Sequence, residues 1–229
     1  MKYLFSFVLI LFALTDFTWS QNPIGNPFIN NFSRKVYQGG TENWDIHQDN
    51  KRGIMYFANF DGLLEYDGDQ WQIYELNNRT IARSLLILEN RIYVGGQGDF
   101  GFFAPDSLGS LKYHSLIPLI TVEADRNFDD IWNIHNARNK NMGLIFVSPE
   151  RIFVFKEERI SVIEPLKNQF EFSFYPGRKN LFVYEKGIGL LTINTTGTLD
   201  TIPGGYLFEY KNHPIRYPLI AVHLNRRVQ

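Results

Sequence analysis

A chain of 229 residues, 44% apolar and 16% aromatic, is long enough to bury the core of one all-β domain. Its formal net charge of −1 offers no general attraction to nucleic acid or to an anionic membrane surface. It contains no cysteine, which excludes a disulfide scaffold, a thiolate metal site, a cysteine nucleophile and lipid attachment at cysteine.

Residues 1–20 have the parts of a secretory signal: Met1-Lys2 as a positive start, the apolar run Tyr3 to Leu14, and small residues at Thr18 and Ser20 just before Gln21. A spanning helix needs about 20 apolar positions, and this run is shorter. The expectation is export with cleavage near Ser20/Gln21, a retained anchor being the competing reading. No later segment is long enough to span, so no membrane span is expected in the mature chain. Residues 21–40 read as an N-terminal arm rich in Asn, Pro and Gly, anchored by Pro27-Phe28-Ile29 and Phe32. Asn31-Phe32-Ser33, Asn78-Arg79-Thr80 and Asn194-Thr195-Thr196 match the N-glycosylation pattern and are read as unmodified surface turns.

From Trp44 the chain packs strands and turns closely. Ile46 leads to a polar turn, Asp49 to Gly53, where Asn and Asp bond their own backbone and Gly takes positive φ. Ile54 to Ala58 is a short apolar strand, and Asn59-Phe60-Asp61-Gly62 carries the Asp-Gly hairpin signal. Leu63 to Tyr66, a turn at Asp67-Gly68-Asp69, and Trp71 to Tyr74 complete four strands of one antiparallel unit. The plan then repeats: Ile81 to Leu88, Arg91 to Gly95, Phe100 to Ala104 and Leu111 to His114 form a second unit, displaced by 37 residues at Tyr56/Tyr93 and 39 at Gly62/Gly101. An insertion around Pro118 to Arg126 precedes a third, with Asp129 to Ile134, Leu144 to Val147, Arg151 to Phe155 and Arg159 to Val162. A fourth has Phe170 to Tyr175, Leu181 to Tyr184, Gly189 to Ile193 and Thr198 to Ile202, and a fifth begins at Tyr206-Leu207-Phe208. No helical pattern follows the signal.

A period of about 40 residues built of four strands predicts a β-propeller, because each blade must cover its apolar faces with its neighbours'. An up-and-down barrel is the rival, and it does not explain a pattern recurring every fourth strand. The predicted fold is therefore all-β, a partial propeller of about four to five blades, over residues 41–76, 79–115, 128–163, 169–203 and an incomplete 206–229. Tyr56, Tyr93, Phe146 and Phe182 should occupy matching positions in successive units, and the last blade should be weakly supported, with an open face and edge.

Laid out this way, the chain resembles the two-component regulator propeller repeats of bacterial hybrid sensors and of related regulators with a triple-tyrosine domain. The matching pieces are Ile46, the Gln48 to Gly53 turn, Ile54 to Phe57, Asp61-Gly62-Leu63 and Tyr66-Asp67-Gly68. Asn26-Pro27-Phe28-Ile29, Gly39 to Ile46 and Ile92 to Gly101 look like the opening of the triple-tyrosine regulators. The match is specific in the first two units and a pattern match in the third and fourth. The resemblance implies a periplasmic sensor that binds a small ligand, with carbohydrate the candidate class, pairs as a homodimer as the sensor family does, and passes the event through a membrane helix to a histidine kinase or helix-turn-helix output. This sequence carries none of those downstream parts, so it reads as the front of a longer protein or as a truncated gene.

Several motifs invite other readings. Gly96-Gln97-Gly98-Asp99-Phe100-Gly101 fits G-x-G-x-x-G and ends in Asp-Phe-Gly, but a dinucleotide site needs a helix after the glycines, a kinase keeps the two motifs far apart, and here a strand continues. Asp67-Gly68-Asp69 and Asp129-Asp130 offer oxygen ligands without EF-hand spacing, so no metal and no cofactor is expected. His47, His114, His135, His213 and His223 lack metalloprotease spacing, and the equivalence of His47 and His135 points to packing or a hydrogen bond inside the fold. Propellers bind where the loops entering first strands meet those joining second and third strands. That placement nominates Asn43, Trp44, Arg83, Gln97, Asp99, Asp129 and Trp132 as a ligand-binding channel rim, since indoles stack on sugar rings and Arg offers a fork of donors. The bland alternative is that Trp44 and Trp132 fill space between blades. The leading functional expectation is a non-enzymatic sensor module; the alternatives are an exported propeller lyase or hydrolase acting on polysaccharide, which needs converging acidic residues that the sequence does not put forward, and a free-standing carbohydrate-binding propeller.

Overall fold

The computed structural model describes residues 29–138, 141–177, 180–194 and 196–208. The expected signal, its cleavage point, residues 21–28 of the arm and nearly all of the fifth unit lie outside those residues. Contacts divide the chain at Phe32/Ser33, and everything below concerns the part from Ser33 onward.

Among the described residues, sixteen strands form four sheets of four, each hydrogen-bonded in chain order. The first holds β1 (Asn43–Asp49), β2 (Ile54–Asn59), β3 (Gly62–Tyr66) and β4 (Trp71–Tyr74); the second β5 (Ala82–Leu88), β6 (Arg91–Gly96), β7 (Phe100–Pro105) and β8 (Leu111–Ser115). The third holds β9 (Asn133–Asn136), β10 (Leu144–Val147), β11 (Ile152–Lys156) and β12 (Arg159–Ile163); the fourth β13 (Phe170–Phe174), β14 (Leu181–Glu185), β15 (Gly189–Ile193) and β16 (Leu199–Thr201). All pairings are antiparallel. The architecture is a partial β-propeller.

Helical structure among the described residues is slight. A one-turn helix, α1 (Arg34–Tyr37), buries none of its residues, so no apolar stripe marks it in the sequence. The insertion before the third sheet folds as 3-10 turns at Ile117–Leu119 and Glu123–Arg126. Tyr206 and Leu207, expected to open a strand, lie instead in a 3-10 turn, Gly205–Leu207, entered through Gly204 at φ 77°.

Alternation along the second strands builds the core, because successive side chains point to opposite faces of a sheet. Tyr56 and Ala58 pack with Leu85, Ile92 and Val94 of the second sheet. Tyr93 packs with Leu144, Phe146 and Phe153 of the third, while Ile145, Val147 and Val154 meet Leu181, Val183 and Leu191 of the fourth. Tyr56, Tyr93 and Phe182 do occupy equivalent positions, counted back from the β2–β3, β6–β7 and β14–β15 turns. Phe146 does not: it faces the second sheet, and Ile145 holds the equivalent place. The third unit turns through Pro149-Glu150, with Ser148 bonded to Arg151, and that fixes the register one residue away from the one the aromatic pattern suggested. On the far face of the fourth sheet Phe172, Phe174, Phe182 and Tyr184 stack on one another, and the Phe208 ring meets Phe172 and Tyr184 at 5.9 and 5.8 Å between centroids.

Two buried polar residues at the ends of second strands fasten the incoming chain. Asn59, with no exposed surface, accepts from the Gly40 and Asp61 amides and donates to the Gly40 carbonyl and to Asn43 Oδ1. Glu185, equally buried, accepts three successive amides, from Leu166, Lys167 and Asn168. Such groups are tolerated inside only when their bonding capacity is filled.

The seam between the second and third sheets leaves no room at Gly95, where an added Cβ would lie 2.4 Å from Ile131 Cγ2 and 2.5 Å from Ser84 Oγ. Overpacking a closed interface typically costs about 1–3 kcal/mol. G95A should therefore lower the denaturation midpoint by that order in a urea titration; unchanged stability would show that this seam is loosely packed.

Candidate functional site

Bulges in the first strands place the residues of interest. In β1 the register shifts between Asn43 and Asp45, leaving Trp44 as the extra residue; in β5 it shifts between Ala82 and Ser84, leaving Arg83. The same shift in β13 leaves Glu171, and in the third sheet Trp132, whose amide bonds the Val147 carbonyl, takes the equivalent place just before β9. A bulge re-aims one side chain without breaking the strand, so four blades each present one redirected residue at the start of the first strand.

Three of the four meet. The Arg83 guanidinium lies over the Trp44 ring at 4.1 Å and over the Trp132 ring at 4.9 Å, and the two indoles contact edge to face at 5.7 Å. Arg83 Nε donates to Asp130 Oδ1 at 3.0 Å, both side chains being largely buried, and Nη1 is buried with no hydrogen-bond partner among the described residues. Trp44 remains 45% exposed. The cluster therefore combines exposed indole surface with a donor-rich cation held in place from below.

The other nominated residues are placed differently. Asn43 is engaged by Asn59 Nδ2. Gln97 sits exposed in the β6–β7 turn and bridges Asp130 through the backbone, while Asp129 is tied by main-chain bonds, its amide to Glu150 and its carbonyl to Gly98. Asp99 does not join the cluster: it is 4% exposed and accepts from Ser115 Oγ at 2.7 Å. Burial raises its pKa, offset in part by the Ser115 and Tyr113 hydroxyls and the Phe100 amide. Asp130 is the functional partner that the sequence did not single out beside Arg83; 47 residues separate the two, and no local pattern connects them.

In the first three blades the residue after the redirected one reaches the next blade. Asp45 Oδ2 accepts the Leu85 amide at 2.9 Å, Ser84 Oγ donates to the Ile131 carbonyl at 2.8 Å, and Asn133 Oδ1 accepts from Ser173 Oγ at 3.2 Å. Two residues further on stand His47 and His135, in the matching runs Trp44-Asp45-Ile46-His47 and Trp132-Asn133-Ile134-His135. Two differences between the runs separate the histidines: a carboxylate beside His47 and deeper burial of His135. The Asp45 carboxylate, 3.4 Å from His47 Nε2, raises the His47 pKa against an opposing effect of burial. Asn133 supplies no charge, and burial pushes His135 down to about 4 while its Nε2 lies 2.8 Å from Ser173 Oγ.

No protein-family model matches the chain, and no curated protein sequence matches it. Solved structures do. The extracellular domain of a one-component system of B. thetaiotaomicron aligns at 17% identity with a TM-score of 0.52, over 73% of this chain and 23% of that one. The extracellular domain of a hybrid two-component system of the same organism aligns at 13% and 0.51, over 79% and 25%, and an ancestral GH74 enzyme at 14% and 0.52, over 70% and 24%. At these identities the likeness is one of fold, and the chain spans about a quarter of each structure's length. Extracellular domains of one- and two-component systems and an enzyme share the fold, so the fold alone does not choose between them. Among the described residues no helix is long and apolar enough to cross a membrane.

The two histidines give opposite pH dependences. His135 binds its proton more weakly folded than unfolded, so its stabilisation is complete above its unfolded value of 6.5 and is lost as pH falls toward 4, on the order of 3 kcal/mol in all. His47, raised, stabilises most below 6.5 and loses that contribution as pH rises through its folded value. NMR titration of the ring protons should show the two separated on either side of 6.5, and N133D should carry His135 upward; coincident titrations would refute the assignment to these two differences.

Proposed function

We propose that the chain is the exported, ligand-sensing propeller of a two-component-type regulator, non-catalytic in itself, which binds its ligand at the rim formed by Trp44, Arg83 and Trp132. The observation that carries this reading is the convergence of two indoles and one guanidinium from three different blades. Exposed indole surface favours the apolar face of a sugar ring, and the fixed guanidinium supplies directional donors for its hydroxyls. A carbohydrate is accordingly the ligand class, and no cofactor takes part. The signal-like residues 1–20 and the extracellular domains among the structural neighbours support export. In this reading the binding event reaches a kinase or DNA-binding output through a membrane helix, in a protein of which this propeller is the outer part, working as a homodimer. The Asp130 carboxylate is committed to Arg83 and serves as a positioning residue.

Tryptophan fluorescence titrated with a panel of neutral and acidic oligosaccharides tests the site. Saturable quenching is expected in the native chain, and W44A and W132A should each weaken binding at least tenfold, about 1.4 kcal/mol, with circular dichroism unchanged. Full affinity in both variants would move the ligand elsewhere, and release of reducing ends from a bound polysaccharide would favour the exported enzyme instead.

A further inference from the structure

At the other end of β5 from Arg83, about 20 Å along the strand, a cavity of about 450 Å3 opens between the second and third sheets. Its size falls in the range of small-molecule sites, about 300–1,000 Å3. Tyr93, Leu144 and Phe155, all under 8% exposed, form the apolar floor. Its mouth carries three acids, Glu89, Glu157 and Glu158, and three bases, Arg91, Arg138 and Lys156.

The backbone at this mouth is unusual. Glu89, Asn141, Glu157 and Glu158 have φ of 58°, 59°, 50° and 55°, and they are four of the six non-glycine residues with positive φ among those described. Asn-Gly is the low-cost choice at a turn such as Glu157-Glu158. Side chains other than Gly and Asn held in this conformation concentrate at sites where their position is used.

We propose that this cavity binds a small zwitterion with an apolar side chain, of the amino-acid type, with its carboxylate on Arg91, its ammonium on Glu158 and its side chain over Tyr93, Leu144 and Phe155. The balanced lining argues for that class. A lone anion would leave three carboxylates facing it, a lone cation would leave three bases, and an uncharged apolar molecule would strip water from both sets. Arg91 and Glu158 are an exchangeable pair that joins the two sheets: their closest atoms are 3.9 Å apart, beyond hydrogen-bond length, and Glu158 is 74% exposed, so little is lost when they part; the equally open Lys156–Glu157 pair joins chain neighbours on one side of the cavity. The Arg91 guanidinium is held over the Phe102 ring at 4.2 Å, which orients it before the ligand arrives. Arg138 and Glu89, closed at 2.9 Å, form the side wall.

The test uses the whole chain and follows backbone amide NMR shifts at residues 89–93 and 155–158 on titration with L-leucine and L-phenylalanine. At least one should saturate these shifts. The matched probes 4-methylpentanoate and isoamylamine, each lacking one charge of leucine, should bind at least tenfold more weakly. E158Q, which removes the charge of an exposed side chain and should leave the melting temperature unchanged, should weaken binding tenfold, as should R91Q, with R91K retaining part. The proposal is overturned if neither amino acid shifts these amides at millimolar concentration, if the single-charge probes bind as well, if E158Q and R91Q retain full affinity, or if glucose takes the site instead. Trp44 and Trp132 are remote from the cavity, so their fluorescence should not respond; success or failure here is read separately from the rim.

Discussion

The fold rests on burial of apolar surface between neighbouring sheets, joined across their seams by isolated backbone hydrogen bonds such as Ile131 N–H to the Gly96 carbonyl and Phe170 N–H to the Pro149 carbonyl rather than by continuous ladders. Each sheet satisfies its own main chain through three antiparallel ladders, and the two faces of the second and third sheets are then covered by different neighbours. Area removed from water is the non-directional part of this association. Direction comes from the polar contacts at the inner edge, Asp45 to Leu85, Ser84 to Ile131 and Asn133 to Ser173, which repeat from blade to blade and fix how far each sheet is turned against the next. At the equivalent place in the fourth sheet stands Phe172, stacked with Phe174, Tyr184 and Phe208. There the polar latch gives way to an aromatic surface.

The same inner edge generates the rim. A bulge adds one residue before the latch, and because the latch is held by the neighbouring blade the extra residue turns aside. Its identity is then free of the demands of the seam, and the chain places Trp, Arg, Trp and Glu there in turn. Seam contacts and redirected side chains are thereby divided between adjacent residues: Asp45 and Trp44, Ser84 and Arg83, Asn133 and Trp132. The two histidines at matching positions are pushed in opposite directions, His47 up by Asp45 and His135 down by burial.

Much of the strand pattern was legible because its causes are local. Asp-Gly and Asn turns, alternating polarity and the recurrence of Tyr-Phe-Ala-like segments placed the first two sheets nearly to the residue. The third sheet was less legible: Leu144 to Val147 is buried on both faces, so apolar identity does not reveal which side chain faces which neighbour, and Phe146 was set in the place of Ile145. At the rim, Trp44, Arg83 and Trp132 were found through their position before the first strands, whereas Asp99 was grouped with them from its place in a turn and is in fact drawn inward by Ser115. Asp130 could not be distinguished from Asp129 by sequence, since both are acidic and adjacent.

The sequence by itself determined the repeat, the strand content and the residues available to the rim, because backbone propensity and turn chemistry act over a few neighbouring residues. Only the tertiary structure decided that Arg83 is shared between two indoles and paired with Asp130, and that three acids and three bases gather around one cavity between the second and third sheets. The physical reason is distance along the chain. Contacts between blades join residues some tens of positions apart, and their partners are chosen by the angle and register at which whole sheets pack, quantities that no local stretch encodes.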